Sequence, residues 1–444
     1  MSKIKNLSET SFLKLFFAFM SAAVLIGAVC MPDRANMVSG LWEILSTPIK
    51  QPSNGFVIGG YAATFLSVGL VCATFTLLAC VIPGVTLNAA STLGFVITMG
   101  FSFWGINMIN IWPPIVGCVL YAIVKKQPVA KTFNAMMFCT GVTPIFSDLL
   151  LRYPGTEIGF SLAGFVIFLV AGAAVGFFMP AGLEHAPNVH KGFDLYSAAV
   201  PVGFSAFALY CIFYRTMGIG IPEGIGADLT VQNPFATNLF CIIFFAACII
   251  MALAAGCKPG DYINMLKDPD HVGDIASKYG NHVMLMNVGI YGLFILAYYN
   301  LIGAQFNAVI VGVMFCMLCT CNSGSTPKNV WPIMLGYVVA SFAFGRISAM
   351  IGGNFDCAVN AQAIAIGLCF ANGLSPIASK YGWFWGFVSA VMHYCLVTTV
   401  PNLYGGMCLY NGGLTAALTC LLMVPQLERF CKTKAERREA RAAK

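Results

Sequence analysis

The chain has 444 residues, of which 59% are hydrophobic and only 9% are charged, and its formal net charge is +7. A soluble domain carries about a quarter charged residues, so this composition excludes a soluble globular protein and favours one whose outer belt faces lipid. The positive charge is concentrated after Glu428, beside the last apolar segment, and does not indicate a nucleic-acid partner. The lipid bilayer is the first partner that the sequence predicts.

Long unbroken apolar runs, such as 15–30, 158–178 and 239–255, predict membrane helices. A membrane β-barrel would instead show stretches of about ten residues with alternating polarity. Because backbone groups in lipid must be satisfied within their own segment, the runs are predicted to be helical. Three lysines precede the first run, and no convincing cleavage site follows it, which favours an uncleaved first helix over a signal peptide.

Apolar runs and the Gly and Pro residues between them predict helices along the whole chain. They lie near 11–30, 56–82, 86–104, 112–124, 129–152, 158–179, 193–215 and 234–256, and then near 283–303, 305–321, 331–346, 359–377, 382–400 and 412–427. Segments 112–124 and 331–346 are shorter than the ~20 residues that a crossing needs, so they are predicted to be tilted, broken or re-entrant. The predicted fold is an all-α polytopic membrane helix bundle with roughly 12 to 14 membrane segments.

The two halves of the chain resemble each other. Residues 84–117 align without a gap to 303–336 at a shift of 219, with eight identical positions that include an Asn-x-Trp-Pro-x3-Gly motif in each half. A Gly-x-Thr/Ser-Pro-Ile-x-Ser block recurs at 141–147 and 373–379, and a Pro-Asn-x3-Gly-x2-Leu-Tyr block recurs at 187–196 and 401–410. Three blocks in the same order predict an internal duplication.

The duplication divides the chain into five parts. They are an N-terminal membrane helix and outer loop (1–54), repeat A (55–216), a linker helix with a polar cytoplasmic loop (217–282), repeat B (283–428) and a basic cytoplasmic tail (429–444). If every element between 56–82 and 283–303 crosses the membrane, the repeats have opposite orientations, as is common in secondary transporters. If the short segments are half-crossings, the parity changes and this argument fails.

Excess Lys and Arg beside a membrane segment marks the cytoplasmic side. Both termini carry such an excess and are predicted to be cytoplasmic, in a multi-pass protein of the inner (plasma) membrane. A homo-oligomer is compatible with the sequence but is not specified by it.

Short or proline-interrupted segments at matching positions of two halves point to a transport site. Proline frees a carbonyl one turn earlier, and in lipid that carbonyl must be buried in protein or face a water-filled cavity. The predicted solute-binding residues are Asn88, Asn110, Trp112, Thr143, Asn307, Asn329, Trp331, Ser375, Tyr410 and Asn411. The alternative is structural, because Asn, Ser and Thr also hold membrane helices together and Trp also anchors helices at the headgroup level.

Ionisable residues within membrane segments are costly and often functional. Asp148, Asp194 and His393 are therefore predicted as proton- or ion-coupling candidates. The duplication does not preserve the acidic pair, since Lys380 occupies the position of Asp148 and Cys408 that of Asp194. An interfacial position of these side chains is the alternative.

Familiar catalytic signatures are absent from the sequence, including a Gly-rich phosphate loop, His-Glu-x2-His and Gly-x-Ser-x-Gly. Cys316, Cys319 and Cys321 form the one cysteine cluster, and no His lies at zinc-site spacing from it. No cofactor and no metal is therefore predicted.

Three functional hypotheses follow. The first is a channel or secondary transporter for a small polar or neutral solute, which is not an enzyme. The second is an intramembrane enzyme that acts on a lipid or lipid-linked substrate through Asp148, Asp194 or His393. The third is a membrane subunit that transports nothing and binds a partner through its helices.

The segments Asn-Ile-Trp-Pro-Pro-Ile-Val-Gly at 110–117 and Leu-Tyr-Asn-Gly-Gly-Leu-Thr-Ala at 409–416 resemble a family of bacterial multi-pass membrane proteins, domain-of-unknown-function family 1576. The resemblance covers most of the chain. It implies a membrane location and supplies no activity.

A weaker likeness is to urea transporters, which have two inverted halves, each with an Asn-Pro re-entrant segment and a later Tyr-Asn-Gly motif. Tyr410-Asn411-Gly412 is similar to that motif, whereas repeat A has Tyr-Ser-Ala at 196–198. In both halves a Trp separates Asn from Pro. These departures put a urea-selective filter in doubt, and the likeness remains one of overall shape.

Overall fold

The computed structural model describes residues 4–48, 53–222, 234–268, 272–353 and 358–443, and these residues form helices and loops with no β-strand among them. Within this part of the chain, ten helices are long and apolar enough to cross a membrane, and four further apolar helices are shorter. The predicted class, an all-helical protein with many membrane segments, is confirmed.

The first half begins with a membrane-length helix and continues through repeat A. Its α-helices are α1 (Glu9–Cys30), α2 (Met37–Ser46), α3 (Gly55–Ile58), α4 (Tyr61–Val81), α5 (Ala89–Ser102), α6 (Trp112–Val124), α7 (Phe133–Phe138), α8 (Thr143–Arg152), α9 (Leu162–His185), α10 (Pro187–His190) and α11 (Ala199–Tyr210).

The linker contains one long and two short helices, and repeat B and the tail follow. These helices are α12 (Pro234–Ala254), α13 (Pro259–Lys267), α14 (Ile275–Tyr279), α15 (Asn281–Leu301), α16 (Ala308–Leu318), α17 (Pro327–Met350), α18 (Gln362–Ala371), α19 (Ser375–Tyr381), α20 (Trp383–Val397), α21 (Asn411–Phe430) and α22 (Lys434–Ala442).

Two of the helices predicted as continuous are interrupted at matching places. A 3-10 turn, Cys139–Val142, separates α7 from α8, and another, Asn372–Leu374, separates α18 from α19. Pro144 and Pro376 stand in the first turn of the helix that follows each break. Proline has no N–H to donate, and it is tolerated in a first turn because that donor would be unpaired there anyway.

The two segments predicted to be short differ from each other. In repeat A, α6 has 13 residues and ends where Lys126 adopts a positive φ of 53°, two residues before Pro128. In repeat B, α17 has 24 residues and is long enough to cross a membrane. Only the first of these segments is therefore short, because the second has no comparable stop signal before Gly352.

The centre of the molecule is formed by α5 and α16, which run antiparallel. Every residue from 91 to 102 and every residue of α16 is buried. A Cβ on Gly100 would lie 2.5 Å from the Gly312 carbonyl oxygen, and a Cβ on Gly312 would lie 2.3 Å from that of Gly100. Only glycine permits backbones to approach so closely.

The basic face is the end of the bundle where residues 4–8, 258–268, 272–281 and 432–443 lie. The Asn281 side chain donates to the carbonyls of Ile4 and Leu7, at 3.1 and 3.0 Å. Lys267 of the linker and Lys434 of the tail line one cavity there. The described N-terminal and C-terminal ends of the chain therefore lie at the same end of the bundle.

Helices α4 and α15, which hold matching places in the two halves, run in opposite directions relative to the basic face. Helix α4 packs antiparallel to α1, with Ser21 and Thr76 in contact at 3.0 Å. The loop after α4 reaches the start of α1, where the Leu87 N–H donates to the Thr10 hydroxyl at 3.0 Å. Helix α4 therefore ends at the basic face, whereas α15 begins there at Asn281.

Candidate functional site

In repeat A, the Asn-x-Trp-Pro motif holds a break between helices in place. The Asn110 side-chain amide donates to the Gly105 carbonyl and to the Ser147 hydroxyl, both at 2.9 Å. Its carbonyl oxygen accepts the backbone N–H of Asn107 at 2.9 Å. The buried amide thus joins the 103–111 loop to α8.

In repeat B, the same motif makes the same contacts. The Asn329 amide donates to the Gly324 carbonyl at 2.9 Å and to the Ser379 hydroxyl at 3.0 Å, and its oxygen accepts the Thr326 N–H at 2.9 Å. Each of the two amides bonds within its own half. These contacts satisfy the backbone around two helix breaks and do not bring Asn110 and Asn329 to one point.

Asn88 and Asn307 are helix N-caps. The Asn88 oxygen accepts the N–H groups of Ala90 and Ser91 at the start of α5. The Asn307 oxygen accepts the Ile310 N–H at the start of α16, at 3.0 Å. An N-cap satisfies donors that have no partner within the helix, and the two caps stand at the outer ends of the antiparallel central pair.

The two motif tryptophans lie at the surface. Trp112 is 43% exposed and Trp331 is 41% exposed. Trp331 stacks on Trp383, with ring centroids 6.1 Å apart. Their positions are typical of rings that face lipid or headgroups.

The remaining predicted polar residues occupy separate places. The Thr143 hydroxyl donates to the Gly105 carbonyl at 3.4 Å, and the Ser375 and Ser325 hydroxyls are 3.2 Å apart. Asn411 begins α21 and lines a cavity of about 270 Å³ with residues of α18 and α20.

The densest buried polar cluster in the described residues consists of Tyr196, Tyr291, Thr320 and Asn372, named here the central polar cluster. The Tyr196 hydroxyl lies 2.7 Å from the Asn372 side-chain oxygen, and 2.9 and 2.8 Å from the backbone carbonyls of Cys316 and Cys369. These two carbonyls belong to the last turns of α16 and α18, which end at breaks. The Tyr196 hydroxyl of repeat A therefore lies between the C-terminal ends of two helices of repeat B, within hydrogen-bond distance of a carbonyl from each.

Asn372 completes this cluster. Its amide nitrogen lies 2.8 Å from the Tyr291 hydroxyl, 2.9 Å from the Thr320 hydroxyl and 2.8 Å from the Met317 carbonyl. All four side chains of the cluster are buried. The sequence contained one signal for this cluster, since Tyr196 aligns with Tyr410 in the third repeated block. The partners of Tyr196 lie up to 176 residues away along the chain, which no local pattern reveals.

Tyr410 holds the corresponding place in the other half. Its ring packs on Gly141, as the Tyr196 ring packs on Gly373. Thr140 lies near the Tyr410 hydroxyl but donates its own hydroxyl to the Met137 carbonyl at 2.6 Å. Within the described part of the chain, the Tyr410 hydroxyl has no hydrogen-bond partner.

Asp194 lies in the loop between α10 and α11, outside the membrane-length helices. One carboxylate oxygen accepts the Tyr196 N–H at 2.8 Å, and the other has no partner among the described residues. Burial raises the pKa of this carboxyl to about 7, because removal from water disfavours the charged form. Asp194 can therefore change its protonation near neutral pH while it contacts the backbone of the central polar cluster.

Asp148 and His393 make different contacts. Asp148 forms a buried ion pair with Arg152 at 2.5 Å and accepts the Tyr214 hydroxyl at 2.6 Å. His393 lies between the Tyr337 hydroxyl, 2.6 Å from Nδ1, and the Gly412 carbonyl, 2.9 Å from Nε2. The described contacts do not bring Asp148, Asp194 and His393 into one acid–base site.

Two pairs of hydrogen bonds join the halves reciprocally. The Leu195 N–H of repeat A donates to the Gly373 carbonyl of repeat B at 3.0 Å, and the Leu409 N–H of repeat B donates to the Gly141 carbonyl of repeat A at 2.9 Å. Leu195 aligns with Leu409, and Gly141 with Gly373. The same contact is therefore made twice, with the roles of the halves exchanged.

The second pair caps the two central helices. The Asn54 side-chain oxygen accepts the Ala308 N–H of α16 at 3.1 Å, and an Asp274 carboxylate oxygen accepts the Ala89 N–H of α5 at 2.8 Å. Asn54 and Asp274 hold the same place, one residue before the one-turn helices α3 and α14. The segment before repeat A therefore caps the central helix of repeat B, and the linker before repeat B caps the central helix of repeat A.

This architecture of many long apolar helices, with a few buried polar contacts at helix breaks, defines a multi-pass helical membrane protein. The family model described as protein of unknown function (DUF1576) matches residues 33–215 and 258–429, and the chain belongs to that family. No curated protein and no solved structure matches the chain.

Proposed function

We propose that the chain is a secondary transporter or channel for a small polar solute, built from two homologous halves of opposite orientation. The observation that carries the proposal is the reciprocal pairing of the halves through Leu195–Gly373 and Leu409–Gly141. Many secondary transporters consist of two inverted halves with the solute site at their interface. Alternating access in them comes from movement of one half against the other.

The opposite orientation is supported by the central helices. The Cys316 thiol approaches the Ile97 carbonyl at 3.8 Å, and these two residues are equivalent at the alignment shift of 219. Equivalent residues meet only on a two-fold axis. Because α5 and α16 are antiparallel, that axis is perpendicular to them, and it lies in the membrane plane if they follow the membrane normal. The opposite directions of α4 and α15 agree with this arrangement.

The basic face is proposed to be cytoplasmic, so that both termini lie on the cytoplasmic side of the cell membrane. Lysine and arginine excess beside membrane helices is retained on the cytoplasmic side, and the tail supplies much of that excess. A tag placed after the tail should be inaccessible to labelling reagent outside intact cells. Labelling from outside would reverse the assignment.

The proposed solute region lies between the central polar cluster and its counterpart at Tyr410. The helix ends at 139–142 and 372–374 present backbone carbonyls there, and such ends are tolerated at membrane depth only where protein or a water-filled cavity satisfies them. Among the described residues, the Tyr410 hydroxyl and the Trp104 indole N–H have no hydrogen-bond partner, and both side chains are buried beside Phe101 in this region. Asp194, which contacts Tyr196, is the proposed proton-coupling residue.

The test is uptake by liposomes that contain the purified full-length protein. The panel should include neutral solutes such as urea and glycerol, zwitterionic amino acids, and small carboxylates. Loss of a buried hydrogen bond costs roughly 1–3 kcal/mol, so we expect Tyr196→Phe to reduce uptake about tenfold or more. The matched control is Tyr298→Phe on α15, which removes a hydroxyl that has no hydrogen-bond partner among the described residues and is not part of the proposed solute region. It should change uptake less than about twofold.

If no solute enters above the level of empty liposomes, the proposal fails and the chain is better described as a non-transporting membrane subunit. Equal losses in the two tyrosine variants would instead move the solute region away from the central polar cluster.

A further inference from the structure

At the basic face, two adjoining cavities of about 300 and 60 Å³ share Ser379 and Lys434 in their walls. We name them together the vestibule. Its cationic residues come from five separate segments of the chain, and they are Lys191, Lys267, Lys328, Lys380, Lys434 and Arg438. Asp268 is the one carboxylate among the lining residues of these two cavities.

Most of this charge is not neutralised within the described residues. Lys191 pairs with Glu428 at 2.6 Å, and Asp268 is engaged by Lys278 at 3.1 Å. Within the part of the chain that the structure describes, none of the other five vestibule cations forms an ion pair. Like charges that share a cavity repel each other, and such a cavity attracts anions.

The tail is part of the vestibule wall and is not a free solvated extension. Lys434 donates to the Ala378 carbonyl at 3.0 Å, and Arg437 donates to the Tyr381 carbonyl. Both acceptors belong to the last turn of α19. Helix α22 is thereby fixed against repeat B, which holds its cations at defined positions. A topology signal needs only net charge near the membrane and would not require this docking.

The vestibule wall also contains a buried donor. Ser379 is 6% exposed, and its oxygen accepts the Asn329 amide. The described contacts give its hydroxyl proton no acceptor. Lys380, the next residue, has its ammonium 4.9 Å from the Phe193 ring centroid. The ammonium therefore faces an aromatic ring and makes no hydrogen bond among the described residues.

The other half lacks such a site at the matching position. There Ser147 is followed by Asp148, which Arg152 and Tyr214 hold in a buried cluster. The same Asn–Ser contact occurs in both halves. It lies beside Lys380 in repeat B, and beside Asp148, which is paired with Arg152, in repeat A.

We propose that the vestibule binds a phosphate- or carboxylate-bearing anion, with Lys380, Lys434 and the Ser379 hydroxyl as its ligands. The anion is either a free solute or the headgroup of an anionic lipid, and both present the same charged oxygens. The site is argued from its own residues and stands whether or not the chain transports a solute.

The experiment uses full-length protein in nanodiscs, where both faces are accessible, and follows thermal unfolding. Inorganic phosphate is titrated against chloride at equal ionic strength in phosphatidylcholine discs, and phosphatidylglycerol discs are compared with phosphatidylcholine discs. A ligand that binds the folded state raises the unfolding temperature by mass action. We expect Lys380→Gln combined with Lys434→Gln to weaken that stabilisation about tenfold in apparent affinity. The matched control is Lys125→Gln with Lys131→Gln, two exposed lysines outside the vestibule.

If phosphate stabilises the wild type and the double variant Lys380→Gln with Lys434→Gln loses this stabilisation, the ligand is a free anion. If only phosphatidylglycerol stabilises the protein, and the same double variant loses this stabilisation, the ligand is a lipid headgroup. No stabilisation by either probe overturns the proposal, as does an equal loss in the control pair. If the double variant does not fold, Lys380→Gln alone carries the test, because its ammonium makes no described hydrogen bond.

Discussion

Tyr196 and Tyr410 occupy equivalent places in the two halves, and their surroundings differ. Both rings lie against a glycine, where a Cβ would come within 2.4 Å of the Tyr196 ring at Gly373 and 2.9 Å of the Tyr410 ring at Gly141. The Tyr196 hydroxyl contacts three oxygens, whereas the Tyr410 hydroxyl has no partner in the described residues.

This comparison separates the contacts that the two halves share from those that differ. The backbone hydrogen bonds of Leu195 and Leu409 are nearly identical in length, and the amide contacts of the two motif asparagines also agree. Thr140 stands where the second half has Asn372, and Phe101 stands where it has Thr320. The contacts at the junctions between the halves are therefore alike, and the side chains around the two tyrosines differ.

The largest expected effect concerns Asp148 of α8, whose matching position in the second half is Lys380. Arg152→Ala leaves Asp148 buried without its ion pair and should lower the free energy of unfolding by about 3–5 kcal/mol. Lys191→Ala breaks the exposed pair with Glu428 and should cost about 0–1 kcal/mol. Thermal or denaturant unfolding in detergent measures both. Similar losses would show that Asp148 is not effectively buried.

The second effect depends on pH and on Asp194, whose counterpart is Cys408. Its pKa is about 7 in the folded protein against 3.8 for the ordinary side chain. The folded state thus binds the proton more tightly than the unfolded state, and stability should fall as pH rises from about 4 to 7 and then level off. Relative to Asp194→Asn, the wild type should lose up to roughly 4 kcal/mol over that range.

Unfolding measured across pH 4 to 8 for both proteins checks this difference. The neighbours of Asp194 from packed elements are His190 of α10 and Cys420 of α21, and no Lys or Arg is paired with it among the described residues. His190 is present in both proteins, so its titration cancels. Parallel pH curves would contradict the raised pKa of Asp194.

The third effect tests the two tyrosines directly. Tyr196→Phe removes the single O–H donor that lies among the Cys316 carbonyl, the Cys369 carbonyl and the Asn372 oxygen. It should lower stability by roughly 1–3 kcal/mol. Tyr410→Phe should be neutral within about 0.5 kcal/mol, because no described hydrogen bond is lost. A cost for Tyr410→Phe as large as that for Tyr196→Phe would mean that an acceptor for Tyr410 exists.

The smallest effect compares the caps of the central helices. Asn307→Ala removes a buried N-cap of α16 and should cost about 1–2 kcal/mol, whereas Asn88→Ala removes an exposed cap of α5, where water can replace the side chain, and should cost about 0.5 kcal/mol. Equal costs would indicate that burial of the cap is unimportant. The same unfolding assay resolves this difference if the two variants are measured side by side.

Most residues that the sequence singled out through repetition make contacts that satisfy the backbone at helix ends and breaks. Asn110 and Asn329 join helix breaks to neighbouring helices, Asn88 and Asn307 cap helices, and Trp112 lies at the surface. Repetition in a sequence identifies positions that both halves need for the same reason, and backbone satisfaction at a break is such a reason. Residues that serve one half alone leave no repeated pattern.

The sequence by itself determined the membrane class and most helix positions, because apolar runs and prolines are local properties of the chain. Its matching motifs predicted two similar halves. The tertiary structure alone decided which side chains meet. Tyr196 finds its acceptors 120 to 176 residues away, and the vestibule draws cations from five segments. Such contacts depend on how the antiparallel helices α5 and α16 pack at Gly100 and Gly312. No local sequence pattern predicts that packing.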